Sequence, residues 1–390
     1  MFVAGLKNCL QHRQTPYSQY RLPAVLELSP EPTYHWPVSK AQGSYHCVAR
    51  ARQPGRTRFH QRALASVGSL TLDHQGFGKT TLTVIMWGMH AVYLLLFSLF
   101  FCLPVKAGEI QVRDDTGRSI TLGAPAKRVV SLAPHVTELL FAAGAGDALV
   151  GVVSYSNYPP EAARLPVIGS HERLNLEAIL ALKPDLLVAW KSGNVHTQVE
   201  QLGKLGIPVF YSEPRELDDI ASNLERLGML AGTSITAGVA ARDFRQRLHN
   251  LAENYAWQPP MRIFYQIWHQ PLMTVNGQHL ISQIITLCGG HNIFAALDAL
   301  APTVDREAVL RADPQIIIAS GMAKQQPEWL EEWRQWPQLS AVRFDQLHFI
   351  EPDLIQRHTP RILDGADIMC EQLAEARSRY QSSMPDRSKW

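Results

Sequence analysis

Few residues in this chain are spaced for making or breaking bonds, and those that stand out suit binding. Two acids, Glu177 and Glu307, hold the same place in two stretches at an offset of 130. NLEAILALKPDLLVAW (175–190) and DREAVLRADPQIIIAS (305–320) align without a gap, with Glu177/Glu307, Ala178/Ala308, Leu180/Leu310, Pro184/Pro314 and Ala189/Ala319 identical. Asn175 and Asp305 stand before them as N-caps. An acid in the first turn then gains about 0.3–1 kcal/mol from the helix dipole. Asp353 and Arg357, four apart in EPDLIQRHTPR, have the spacing of a local ion pair, worth little at a surface. His171, in the loop GSHERLN, can donate a hydrogen bond, ligate a metal or simply face water. No Ser-His-Asp order with an elbow motif and no paired carboxylates stand out. No Cys/His spacing suggests zinc. GFGKTT (76–81) fails as a phosphate loop because position 73 is Asp73, not Gly, and no strand precedes it. The residues thus point to a binder: no enzyme, no resident cofactor and no metal are expected.

Each copy of the repeat reads as a capped helix, a proline break and a buried strand. A unit of that kind repeated so far apart implies two similar lobes, each with its own sheet, and a cleft between them that holds a ligand. At 390 residues there is room for two domains with separate cores. Residues 1–107 carry 11 Lys and Arg against 3 Asp and Glu, and the remainder carries 26 against 32. The folded part is therefore mildly acidic, with no basic face to suggest nucleic acid. Of the five cysteines, only Cys288 and Cys370 lie beyond residue 107. One pair fits a single disulfide in an oxidising compartment; two unpaired buried thiols are the other reading.

AVYLLLFSLFFCLPV (91–105) is almost wholly apolar but short for a bilayer span. With Val105-Lys106-Ala107 and Gly108, an imperfect small-residue cleavage pattern, it reads as a secretory signal ending near Ala107, an uncleaved anchor being the alternative. Residues 1–78 show no sustained period of 2 or 3.6. A signal should not sit behind them, so translation is expected to begin at Met86 or Met89. The expected organisation is an extension over 1–85, a signal over 86–107, a first lobe over 108–232, an interlobe helix over 233–257 and a second lobe over 258–390.

EIQVRDDTGRSITL (109–122) alternates like an opening hairpin. RVVSLAP, LVGVV, LLVAW and PVFYS read as strands, separated by helices through HVTELLFAAGAG, the repeat and about Val195 to Leu205. That alternation makes a parallel sheet covered on both faces. Residues 234–256 form the longest helical stretch, with Ile235, Val239, Phe244, Leu248, Leu251 and Tyr255 about four apart. A second set follows: RIFYQIW, a helix near 280–287, the second repeat, LHFI and a closing helix from Arg361. The fold class is α/β, two Rossmann-like lobes with mainly parallel sheets, joined by a long interlobe helix too stiff for much hinge closure.

RVVSLAPHVTELLFAAGAGDALVGVVSYSNYPP, NLEAILALKPDLLVAWKSGN, LCGGHNIF and TPRIL closely resemble the cobalamin-binding members of the helical-backbone class of periplasmic substrate-binding proteins, over about residues 127–375. Other members of that class serve haem and ferric siderophores. The resemblance implies a corrinoid held between the lobes by aromatic side chains and delivered to an ABC importer. Tyr155 and Trp190 stand where the family has pocket aromatics. His171 stands where it has Trp, Met273 replaces a Phe and Ala301 another Trp. Asp353 and Arg357 match a family pair in which the acid meets a peripheral amide and the arginine steadies it. Cys288 and Cys370 match the family's disulfide. Glu177 and Glu307 match acids that dock on the two permease subunits, as a two-fold symmetric partner requires. The chain itself is expected to be a monomer. The alternative within the class is haem or a ferric siderophore, although Arg173 and Arg357 are the main basic candidates for an anionic chelate. An enzyme on a two-lobed scaffold would need a cysteine ligand set or a glycine-rich anion loop, and the chain has neither.

Overall fold

Strands covered on both faces need apolar side chains at every position rather than at alternate ones, and the central strands here obey that rule. Leu186–Ala189 and Ile316–Ala319 are buried without interruption. The computed structural model describes residues 108–321 and 327–383. The extension and the signal expected in residues 1–107 lie outside the described residues.

The described chain opens with an antiparallel hairpin, β1 (Ile110–Arg113) and β2 (Ser119–Leu122). The Asp114 carboxylate closes its turn by accepting the Thr116 and Arg118 amides at 2.9 Å. Next come β3 (Val129–Ser131), α1 (Pro134–Ala142), β4 (Leu149–Gly151), α2 (Leu176–Ala181), β5 (Leu186–Trp190), α3 (His196–Lys204) and β6 (Val209–Ser212). Two helices follow, α4 (Leu217–Ala231) and α5 (Ser234–Tyr255). The second half holds β7 (Met261–Gln266), a small antiparallel ribbon of β8 (Trp268–His269) and β9 (Leu272–Met273), α6 (Leu280–Leu287) and β10 (Gly290–Asn292). It continues with α7 (Arg306–Ala312), β11 (Ile316–Ala319), α8 (Glu328–Glu331), α9 (Ser340–Arg343), β12 (Leu347–Phe349), α10 (Pro352–Ile355) and α11 (Ile362–Ser382).

The strands form two separate parallel sheets, ordered β4-β3-β5-β6 and β10-β7-β11-β12. In chain order within each lobe both read second, first, third, fourth. The sequence repeat falls on the same unit of each: α2 with β5, and α7 with β11. Asn175 accepts the Ala178 amide at 3.0 Å and Asp305 accepts the Ala308 amide at 2.6 Å, so both copies start on the N-caps read from the sequence.

The cores depart from the expectation. An outer cluster of Val130, Leu187 and Tyr211 belongs to the first sheet, and one of Phe264, Ile317 and Trp333 to the second. The inner faces are not separate. One apolar body runs from Val129 and Leu224 through Ala237 and Phe244 to Ile284 and Leu363. The helices between the sheets weld the lobes together.

Two helical details also differ. α4 is a helix beyond those expected, and Glu216 and Asp219 form a reciprocal capping box at its start. In α5 the apolar stripe fails over the first turns: Ile235 is 87% exposed and Val239 44% exposed, whereas Ala237 and Ala241 are buried. The reason is close approach to α4. A Cβ on Gly228 would lie 2.2 Å from the Ala237 Cβ. Only small residues fit that crossing, so the larger ones face outward.

Candidate ligand site between the lobes

Six chain segments meet at the seam. From the first lobe come the start of α1, the loop after β4, the loop before α2 and the end of β5. From the second come the start of α6 and the segment from α10 into α11.

Trp190 ends β5, where a side chain can leave the sheet toward a crevice. Asn194 fixes it: its Oδ1 accepts the Trp190 amide at 2.7 Å, and its Nδ2 donates to the carbonyls of Leu132 and His171 at 2.8 and 3.0 Å. One buried side chain thereby ties three of the segments that bear the site. Gly193 lies against the indole, and a Cβ there would come 1.9 Å from it. The ring of His171 lies 5.9 Å from that of Trp190. Tyr155 is 76% exposed with φ of 66°, a left-handed conformation that a bulky residue adopts only when the surroundings impose it. Its carbonyl accepts a hydrogen bond from Arg357 at 3.2 Å, which accounts for the constraint and leaves the phenol in solvent.

Arg357 does more than steady Asp353. It pairs with that acid at 2.8 Å, but its other terminal nitrogen binds Glu138 Oε1 at 2.7 Å and Asn157 Oδ1 at 2.8 Å, both in the first lobe. Arg361 adds a bidentate pair to Glu138 at 2.8 and 2.9 Å and lies 3.8 Å over the Tyr158 ring. The Glu138 side chain is 2% exposed. A buried carboxylate with two guanidinium partners and three or more hydrogen bonds is compensated; with one partner removed it would be costly.

Beside this lock lies a row of rings. His135 contacts Trp190 edge-on at 5.2 Å and faces His358 of the other lobe at 6.1 Å; His358 lies 6.2 Å from His279. His279 Nδ1 accepts the Ile281 amide at 3.1 Å. Burial pushes the His279 imidazole down to about 4 and, with the neighbouring His279, takes His358 down to about 3. Burial, then the charges of His358, Arg357 and His171, holds His135 well below its ordinary value. All three are neutral at neutral pH. His135 is 6% exposed and its Nε2 has no hydrogen-bond partner.

The structure thus gathers Tyr155, His171, Trp190, Asp353 and Arg357 at one seam. Met273 sits in the β8–β9 ribbon, partly buried and paired with Trp268. None of the ring contacts or hydrogen bonds described for the seam reaches it. Ala301 is exposed, as is Arg173. Glu177 and Glu307 are exposed in the first turns of α2 and α7, one on each lobe. Cys288 and Cys370 are bonded and join the end of α6 to α11, which closes the choice between a disulfide and two thiols. His135, Glu138, Asn194, His279, His358 and Arg361 were not anticipated. Glu138 was open to notice, as the lone acid in the apolar helix PHVTELLFA. A surface cleft of about 490 Å³ lies elsewhere, lined by Arg118, Ile120, Val199, Gly203, Pro208 and Tyr211. Among the described residues no three His, Cys, Asp or Glu side chains are placed to hold a metal ion together, and no helix is long and apolar enough to cross a membrane.

Two lobes with parallel sheets, joined through a long helix, with a seam lined by rings and polar groups, define a binding protein of the helical-backbone class. The model of the periplasmic binding protein family matches residues 129–354, and the chain belongs to that family. The vitamin B12-binding protein of Vibrio cholerae serotype O1 is 42% identical over 256 residues, which cover 65% of this chain and 92% of that protein. The vitamin B12-binding protein of Yersinia pestis is 43% identical over 256 residues, covering 65% of this chain and 89% of that one. The crystal structure of the periplasmic vitamin B12 binding protein of Vibrio cholerae matches with a TM-score of 0.60 and 41% identity, over 65% of this chain and 98% of that one. A periplasmic heme-binding protein from Roseiflexus sp. RS-1 shares the fold, with a TM-score of 0.56 and 22% identity over 64% of this chain and 99% of that one.

Proposed function

We propose that this chain captures cobalamin or a related corrinoid at the interlobe seam and delivers it to the permease of an ABC importer, as a transported ligand and without catalysis. The observation that carries the reading is that the interlobe seam holds Trp190, pinned by Asn194 and flanked by the His135 and His171 rings, together with the exposed and constrained Tyr155. Large amphipathic rings suit a macrocycle that is apolar on its faces and rimmed with amides. The relatives named for vitamin B12 support the same ligand. In this reading His171, Met273, Asp353 and Arg357 complete the site, and ligand entry separates Arg357 from Glu138. Residues 86–107 serve as a cleaved signal to the periplasm, 108–232 and 258–390 are the lobes around the 233–257 helix, and the chain acts as a monomer.

The test is a parallel calorimetric titration of the purified protein with cyanocobalamin, haemin and a ferric siderophore. Tight binding of the corrinoid, weakened tenfold or more by Trp190→Ala, supports the proposal. Preference for haemin or the siderophore would replace it with the alternative ligand.

Glu177 and Glu307 are proposed as the permease contacts. The Glu177→Arg/Glu307→Arg double variant should abolish uptake in cells while leaving corrinoid affinity within about twofold, as expected for charges exposed far from the ligand. Lost affinity would move these acids into the site or the fold.

A further inference from the structure

Trp190 and His135 occupy only one of the two crevices that this fold creates. In a parallel sheet ordered second, first, third, fourth, a ligand binds past the carboxyl ends of the first and third strands, where the order reverses. In the first lobe that point lies between β3 and β5, and His135 and Trp190 meet there at 5.2 Å. In the second it lies between β7 and β11. Val129 and Ile263 hold the same register, against Leu186 and Ile316 of the two repeats. Six residues beyond Val129 comes His135, and six beyond Ile263 comes His269. His269 also meets an indole: it stacks on Trp329, with centroids 5.5 Å and planes 9° apart. The repeat has Ser320 where the first lobe has Trp190. Trp329 reaches the same crevice from α8, 3.7 Å from the place of a Cβ on Gly321.

Trp268 extends the pair, its ring 5.1 Å from that of His269. All three residues are half-buried, so part of each ring faces open space. Trp268 Nε1 donates to the Gln270 carbonyl at 3.0 Å. Trp333 Nε1 donates to Gln266 Oε1 at 2.8 Å, and Gln266 Nε2 donates to the Trp268 carbonyl at 3.3 Å. The indole is therefore held in advance of binding, with its only donor satisfied, and offers apolar surface. Met273 is its cross-strand partner, and directly opposed residues of an antiparallel pair share a face. The crevice adjoins the seam. The Ser320 amide donates to the Gln266 carbonyl at 3.0 Å, and Gln356, the neighbour of Arg357, donates to the Ser320 hydroxyl at 2.9 Å and to its carbonyl at 3.1 Å.

Resting on the corrinoid reading above, we infer that this second crevice is the other half of the ligand site. Trp268 and Trp329 pack on the side of the macrocycle turned to the second lobe, with Met273 beside Trp268.

The test grows the full chain with 5-fluorotryptophan and follows its fluorine resonances as cyanocobalamin is added, single replacements by phenylalanine assigning the lines. The Trp190, Trp268 and Trp329 lines should shift at saturation. Those of Trp333, 3% exposed in the core of the second sheet, and Trp257, 91% exposed just past α5, should stay in place. By calorimetry Trp268→Ala should weaken cyanocobalamin binding roughly tenfold or more, and Trp268→Phe should stay within about threefold of wild type. A moving Trp190 line beside still Trp268 and Trp329 lines overturns this inference and leaves the functional reading standing. Shifts at Trp333 as large as at Trp268 overturn it too, because they mean a rearranged lobe and not contact. Unchanged affinity in Trp268→Ala does the same. Cyanocobalamin that neither binds nor moves any line removes the functional reading as well. If Trp268→Ala does not fold, the fluorine shifts of the wild type decide.

Discussion

In the first lobe the edge at the seam presents Tyr155, His171, Trp190, His135 and the buried Glu138. In the second it presents His279, His358, Arg357 and Arg361. Behind those edges the lobes match strand for strand, down to the N-caps Asn175 and Asp305. The difference teaches where divergence is cheap. Positions inside a sheet packed on both faces tolerate little besides apolar side chains of suitable volume, so the duplicated unit keeps its pattern. Loops and helix starts at the sheet ends carry no such constraint. One lobe could take up rings and an acid and the other cations, and each rim is now complementary to its partner and not to itself.

The comparison can be broken most sharply at Glu138. Glu138→Ala leaves Arg357 and Arg361 of the opposite lobe without their buried acid, and should cost about 3–5 kcal/mol in denaturant unfolding. A loss below about 1 kcal/mol would show that the lobes do not depend on the cross-seam pairs. The disulfide belongs to the second lobe alone. Cys288→Ser/Cys370→Ser opens a closure of 82 residues and should cost about 2–4 kcal/mol, with the second lobe losing amide protection first in hydrogen exchange. Equal loss in both lobes would mean that the shared core overrides the asymmetry.

Acid comes next. The neutral His135, His279 and His358 have folded-state values below that of an unfolded histidine, about 6.5. The unfolded chain therefore binds more protons below that pH. Stability is full above pH 6.5 and falls as the pH drops beneath it, by roughly 1 kcal/mol per imidazole for each unit. Melting scans at pH 7.5 and 5.5 should show the fall, and His279→Phe/His358→Phe should flatten it. A profile unchanged by that pair would place the titrating groups outside the seam. The smallest effect is expected at Gly193→Ala, whose methyl group meets the Trp190 ring. It should cost about 1–2 kcal/mol of stability and lower corrinoid affinity, whereas Gly206→Ala in an open turn should leave affinity unchanged.

Much of the fold was legible from local pattern. The repeat, the strands and the helix at Leu280–Leu287 followed from apolar periodicity, caps and proline breaks, which are properties of neighbours in the chain. The helix at Leu217–Ala231 carries a local signal too, in the capping box of Glu216 and Asp219. The outward turn of Ile235 and Val239 was not legible, because it depends on Gly228 meeting Ala237 across two helices. At the site, Tyr155, His171 and Trp190 could be named by resemblance, but Glu138, Arg361 and His135 could not. Glu138 stood out only as a lone acid in an apolar helix; its arginine partners lie more than two hundred residues away and leave no spacing signal.

The order of residues by itself determined two lobes of one pattern, the capped repeat and the cysteine pair available for a bond, since each depends on local preference or simple count. Tertiary structure alone decided that the lobes share one inner core, that Arg357 and Arg361 reach across to Glu138, and that three uncharged imidazoles line up at the seam. Burial and charge pairing are set by what packs against a group, and only the folded chain brings those neighbours together.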